Sequence, residues 1–279
     1  MSETGTLPGR DTMATDMREI SPSVFLIARP SINVEGMRDY LEDVGGASWL
    51  ERRVAETEGS LLNDGELLVE FGGRVCYRSW EPGLNPNVTR VRTDRHAYFA
   101  NILRCGHGSV LEHANYSFAL RNVSRVFTHE LVRHRAGSAF SQESLRYVRL
   151  TEIGFRVPPA LEPIRGQVLS LVEQLEEFQN TAADALGLDD EGVPFHVKKE
   201  ITSALRRLAP TGLSTDIIWT ANVRTLRHVI EMRTAEGAEE ELRLVFDKVA
   251  QIMREEAPEL FQDFTRHEDG CWVPEHRKV

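Results

Sequence analysis

Within the seventeen residues from Arg133 to Arg149 stand four arginines, His134, three serines and Tyr147, with Gln142 and Glu143 side by side among them. Guanidinium groups take phosphates through paired N–H donors, and hydroxyls complete such a shell. In a chain of net charge -10, this local basic stretch has the chemistry of a site for one small phosphorylated ligand. A broad nucleic-acid face is not expected, because that mode of binding neutralises many phosphates together.

Other chemistries fit less well. His129-Glu130-Leu131-Val132-Arg133-His134 imitates a helical zinc motif, but its histidines stand at i and i+5, about 140° apart on a helix, where the motif needs i and i+4. His107 and His113 are read as structural or surface residues, and no metal is expected. Cys76, Cys105 and Cys271 are odd in number and far apart, so they form neither a disulfide framework nor a thiolate zinc site. Cys105 is read as a buried, inert thiol. No glycine fingerprint follows the first apolar strand, so a Rossmann dinucleotide site is not expected.

The elements that must position these residues follow from periodicity. With 41 % hydrophobic and 27 % charged residues the chain reads as globular, with a leader over residues 1–20 and a single domain over residues 21–279. No apolar run approaches the roughly 20 residues of a membrane span, and no signal peptide is visible, so a cytoplasmic protein is expected. Val24–Ala28 reads as a buried strand, and Met37, Tyr40, Leu41 and Val44 as one helix face ending at Gly45-Gly46. The segment 61–79 could be helix or strand, and Trp80–Val88 is a loop. Gly106–His113 is a polar turn able to hold a ligand, and Ala114–Leu120 alternates as a half-buried strand. Asn122 is expected to cap a helix that Gly137 ends. Arg133 and Arg135 are about 200° apart around such a helix, so either the helix ends there or the two serve different ligands. Ser144–Leu150 looks extended. After Pro158-Pro159 come a long helix through Phe178, a helix over 196–208, a strand at Thr215–Thr220 with Trp219 in the core, a helix from Asn222 through Arg233, and a last helix over 238–264. Strands and long helices without regular alternation indicate an α+β fold with a mixed sheet.

Arg133-His134-Arg135 with Ser138, Gln142, Ser144, Arg146 and Tyr147 resembles the signature of the flavin-dependent thymidylate synthases. Arg74–Ser79, Gly106–His113 and Asn222-Val223-Arg224 through Arg233 are similar to further motifs of that family in the same order, and the resemblance covers roughly residues 65–250. It implies a homotetramer whose active sites are shared between subunits. The implied reaction is FAD-dependent C5 methylation of dUMP to dTMP, with 5,10-methylenetetrahydrofolate as carbon source and NADPH as reductant, without a cysteine nucleophile. By position, His107, Ser109, Arg133, His134, Arg135, Asn222, Arg224 and His228 would contact FAD, and Gln142 would lie between flavin and nucleotide. Ser144, the Leu145 backbone, Arg146 and Arg206 would hold the nucleotide phosphate. Glu130 and Arg133 also fall in the substrate set, and Arg233 would stabilise negative charge on the uracil ring.

Outside these positions, Arg74, Arg78 and Arg149 are read as surface or salt-bridging residues, and Ser138 as ligand contact or turn cap in equal measure. The chain departs from the family at three places. Eight residues rather than seven separate Arg135 from Ser144, Glu130 replaces a common glutamine, and Gly237 replaces a common histidine. Nothing in the motifs reads the sugar 2′ position, so C5 methylation of UMP is the alternative reaction. A flavin- or nucleotide-binding protein without catalysis and a helical scaffold are the alternatives of other classes.

Overall fold

The computed structural model describes residues 19–56 and 63–279. The expected leader therefore falls almost wholly outside the described residues. In chain order the elements are β1 (Ser23–Ala28), α1 (Val34–Val44), α2 (Ala47–Ala55), α3 (Asp64–Tyr77), α4 (Arg95–Arg104), α5 (Gly108–Leu111), β2 (Asn115–Ser124), α6 (Arg125–Leu131), β3 (Ser138–Gln142), α7 (Arg165–Ala185), α8 (Phe195–Leu205), β4 (Ser214–Asn222), α9 (Val223–Thr234), α10 (Glu240–Glu256), β5 (Phe264–Arg266) and β6 (Trp272–Pro274). The α+β class is what the chain has. None of the described helices is long and apolar enough to cross a membrane.

The chain divides into two compact units, where the sequence reading takes one domain. One holds Ser144–Ser214 with the described residues before Pro22; the other holds Pro22–Glu143 and Thr215–Val279. In the larger unit, strands run in the order β1-β2-β4-β3. β1 lies antiparallel on β2 with Val24 opposite Leu120, and β3 lies antiparallel on β4 with Phe140 opposite Trp219. Tyr116, Phe118 and Leu120 of β2 and Trp219 of β4 are fully buried, and they pack with Leu226, Val229 and Ile230 of α9 and Val245, Phe246 and Val249 of α10. The smaller unit packs α7 through Val172 against Leu145, Leu150, Ile153 and Leu213.

Side-chain caps set where the helices start, because the first N–H groups of a helix lack internal partners. Asn33 accepts from Gly36 N at 3.1 Å, Asp94 from Ala97 N at 2.7 Å and Asn222 from Thr225 N at 2.9 Å. The cap of α6 is Ser124, which accepts from Phe127 N at 3.0 Å. The expected cap, Asn122, instead belongs to β2, which runs two residues further and places Asn122 at φ 57°. Glu241 holds this junction by accepting from Ser124 N at 2.7 Å and from its hydroxyl.

Two other expectations change. Ser144–Leu150 is not extended: the Ser144 carbonyl accepts from Tyr147 N at 2.9 Å and Val148 N at 3.0 Å, a turn. The last helix stops at Glu256, ahead of Pro258, whose ring cannot continue it. The remainder of that stretch leads into the β5–β6 hairpin, with Thr265 opposite Val273.

Of the two readings of Arg74, surface or salt-bridging, the second holds. Arg74 lies buried with Arg53 around Glu70, which is fully buried on α3. Glu70 accepts from Arg53 at 2.8 Å, Arg74 at 2.8 Å and the Trp49 indole at 3.1 Å. Burial works against the Glu70 charge, but the bonds from Arg53 and Arg74 outweigh it and hold the carboxyl below the ordinary range. Removing one partner of such a group leaves uncompensated buried charge. Glu70→Ala is expected to cost about 3–5 kcal/mol of stability, read by urea denaturation; a loss of less than about 1 kcal/mol would contradict a buried, mutually dependent cluster.

Candidate active site

Arg233 is the penultimate residue of α9, and three bonds fix its guanidinium. Nε donates to His134 Nε2 at 2.8 Å, one terminal nitrogen to Glu130 Oε2 at 2.7 Å, and the other to the Glu130 carbonyl at 3.5 Å. Glu130 comes from the last turn of α6 and His134 from just beyond it. Because arginine only donates, His134 Nε2 carries no proton and the ring proton sits on Nδ1. Burial, the Arg233 charge and His228 together push His134 down to about 4. The rings of His134 and His228 meet edge to face with centroids 6.0 Å apart. The carboxylate at position 130 is thus neutralised by Arg233.

A cleft of about 590 Å³ opens beside this clasp and gathers Arg133, His134, Arg135, Asn222, Arg224 and His228. Both arginines of the basic motif line it because α6 ends at Leu131, two residues before Arg133. The helical divergence between them therefore does not apply. Neither makes an ion pair among the described residues. Gly137 closes the loop rather than ending α6: it has φ 67°, and a Cβ there would stand 2.5 Å from Thr225 Oγ1. Thr225 Oγ1 donates to the Ala136 carbonyl at 2.7 Å, and Asn222 N donates to that of Gly137 at 3.1 Å. The Oδ1 atom of Asn222 is committed to the α9 cap, so its amide nitrogen is the group left to face the cleft.

His107 and Ser109 lie in a second cleft of about 330 Å³ with Cys76 and Tyr77, and Arg224 lines both clefts. Tyr77 stacks on His107 with centroids 5.7 Å apart, its hydroxyl 3.4 Å from Nε2. Arg224 donates to Glu112 at 2.6 Å and to the Val279 carbonyl at 3.2 Å. Gln142, on β3, donates to Thr128 Oγ1 at 3.1 Å. Ser138 accepts from the buried Trp219 indole at 3.1 Å, so it is a fastening of the sheet. Gly237 has open space around its α-carbon. Cys105 is exposed, contrary to expectation, with Sγ 3.8 Å from Asn101 Oδ1. Arg149 is salt-bridged to Asp189 at 2.6 Å.

In the smaller unit Arg146 lines an open hollow of about 550 Å³ with His196, Lys199, Ser203 and Arg207. Arg206 and Leu145 line a different, tight crevice with Gln179 and Leu205. The arginine that shares the hollow with Arg146 is thus Arg207, which sequence reasoning missed. Ser144 Oγ accepts from Arg146 N at 3.4 Å. A signal was present: positions 196, 199, 203 and 207 recur at helical spacing and form one polar stripe. Arg146 and Lys199 both stand over the Tyr147 ring, 6.0 Å and 5.4 Å from its centroid.

A family model described as thymidylate synthase complementing protein matches residues 60–259. A flavin-dependent thymidylate synthase of Corynebacterium diphtheriae is 36 % identical over 210 residues, 74 % of this chain and 81 % of the relative. Another, from Mycobacteroides abscessus, is 37 % identical over 213 residues, 72 % of this chain and 80 % of the relative. A crystal structure of thymidylate synthase X from Helicobacter pylori, solved with FAD and dUMP, aligns with TM-score 0.50 at 22 % identity, covering 71 % of this chain and 93 % of that one. At that identity the likeness concerns the fold.

The clasp makes a pH prediction. A histidine whose folded pKa lies below its unfolded value resists protonation in the fold, so its contribution to stability is complete above the unfolded value near 6.5. That contribution is lost as pH falls toward about 4. Nitrogen NMR of His134 should show a neutral ring protonated at Nδ1 at pH 6, titrating near 4. An imidazolium at pH 6 would contradict the clasp.

Proposed function

The chain belongs to the flavin-dependent thymidylate synthases, enzymes that transfer a one-carbon unit, and from this premise we propose that it methylates C5 of dUMP to give dTMP. In this reading FAD is bound, 5,10-methylenetetrahydrofolate gives the carbon and NADPH the reducing equivalents. The observation that carries it is the Arg233 clasp opening onto a cleft lined by Arg133, Arg135 and Arg224. The H. pylori protein of like fold holds the same two ligands, FAD and dUMP.

The donor set fits a flavin dinucleotide. Arg133, Arg135 and Arg224 supply cations for a pyrophosphate, and a dianion in a chain of net charge -10 requires such local compensation. His134 offers Nδ1–H, Asn222 its amide nitrogen, and His107, Ser109, His228 and Gln142 add polar contacts. Bound flavin would supply the hydride chemistry.

On the nucleotide, we assign the phosphate to Ser144, the Leu145 backbone and Arg146, with Arg206 entering from the family pattern. Lys199 and Arg207 join this set through the hollow they share with Arg146. Arg233 remains protonated throughout, so its part is to stabilise negative charge on the pyrimidine rather than to remove a proton. Glu130 and His134 hold it in place. Glu130 also sets the charge of the pair, so a pyrimidine that takes a bond from Arg233 must share the guanidinium with a carboxylate. Arg133 and Gln142 complete the substrate set, and a homotetramer with shared sites is part of the proposal. Methylation of UMP is the second reading, favoured by the longer segment between Arg135 and Ser144, the segment that carries β3.

With FAD, NADPH and methylenetetrahydrofolate supplied, dUMP should give dTMP, and UMP should be turned over at least tenfold less efficiently. Product from UMP alone would select the second reading, and product from neither would sink both. Arg233→Ala should lower turnover by about 10²–10³, the scale of losing one charge-stabilising donor, while the flavin absorbance of the purified protein persists.

A further inference from the structure

Beyond β6 the chain turns back across α9, and its path is fixed at the root by a buried ion pair. Arg227 donates to both oxygens of Asp263 at 2.8 and 2.9 Å, and each side chain is about 5 % exposed. Asp263 Oδ2 accepts from His276 N at 3.1 Å, and its carbonyl accepts from Glu275 N at 3.0 Å. Past this root the hold is lighter. Arg277 Nε meets Glu231 at 3.1 Å, with the arginine 67 % exposed.

The last residues then lie against the turn that carries His107 and Ser109. A Cβ on Gly106 would stand 2.5 Å from the Lys278 carbonyl oxygen, and one on Gly108 would collide with the Val279 carbonyl carbon. Val279 also packs against the main core. Its carbonyl oxygen accepts from Arg224 Nε at 3.2 Å, while Glu112 takes a terminal nitrogen of the same guanidinium at 2.6 Å. Arg133 and Arg135, in the same cleft, have no such partner among the described residues.

We propose that residues Arg277–Val279 form a strap that competes with the cofactor for Arg224, an inference that rests on the assignment of Arg224, His107 and Ser109 to FAD. The pyrophosphate of the ligand and the Val279 carbonyl claim the same N–H group. Binding therefore exchanges one acceptor for the other, and the strap leaves the turn while its root at Arg227 and Asp263 stays. An exposed ion pair such as Arg277–Glu231 contributes little and is readily given up. Apparent affinity is the intrinsic affinity reduced by the fraction of molecules with the strap open.

The test strips the flavin and follows rebinding of FAD by fluorescence quenching, for the full chain, for a variant ending at Arg277, and for Arg277→Ala. Inorganic pyrophosphate, followed by calorimetry, serves as a second ligand that does not depend on the flavin reading. The strap predicts that the shortened chain binds FAD and pyrophosphate about three- to tenfold more tightly, with Arg277→Ala in between. Equal or weaker binding of both ligands in both variants overturns it. If no form binds FAD while pyrophosphate still binds more tightly to the shortened chain, the flavin assignment fails and the strap stands. If no form binds either ligand, both fail.

Discussion

A mostly buried guanidinium needs partners on every side, and the one at Arg233 draws them from two places far away in sequence. Glu130 lies 103 residues before it and His134 lies 99 before it. The three bonds tie Glu130 at the end of α6 and His134 just beyond it to the end of α9. Each partner is constrained in turn. Glu130 accepts through its carboxylate oxygen, and His134 must be neutral to accept through Nε2. Arg233 stands in the last turn of its helix, where the macrodipole favours a cation. The clasp thus joins two helix ends beside the cleft, while the loop after it is held separately by Thr225 and Asn222.

The same logic of compensation recurs in the larger unit. Glu70 holds Arg53 and Arg74, and Asp263 holds Arg227. These buried cations are spent on structure, whereas Arg133 and Arg135 make no ion pair among the described residues. The distinction separates arginines that build the fold from those the proposed function uses, and composition alone does not reveal it. Arg224 stands between the two groups, exposed yet already engaged by Glu112 and Val279.

Much of the fold was legible because local rules suffice for it. The apolar run at Val24–Ala28, the stripe ending at Gly45 and the Asn222 cap of α9 are elements whose signals lie within a few residues. What was missed depends on distant partners or on competing signals. β3 is a short strand at the edge of the sheet, polar at most positions, and it becomes a strand by pairing with β4, about eighty residues later. Asn122 has cap chemistry, but the β2 ladder continues past it, and Ser124 takes the role with help from Glu241. The hairpin after α10 was hidden inside an amphipathic pattern that Pro258 should have interrupted.

The candidate site divides similarly. Residues clustered in sequence, such as Arg133, His134 and Arg135, were readable as a basic motif and do line one cleft. The pairing of Glu130 was not readable, because its partner lies on another helix, and neither was the place of Arg207, rather than Arg206, in the hollow that Arg146 lines. Glu130 and Arg233 hold each other across the two helices α6 and α9. A double-mutant cycle on folding stability, with Glu130→Ala, Arg233→Ala and the pair, measures that directly. The clasp predicts a coupling of about 1 kcal/mol or more, and single-variant losses that add to within about 0.3 kcal/mol would contradict it.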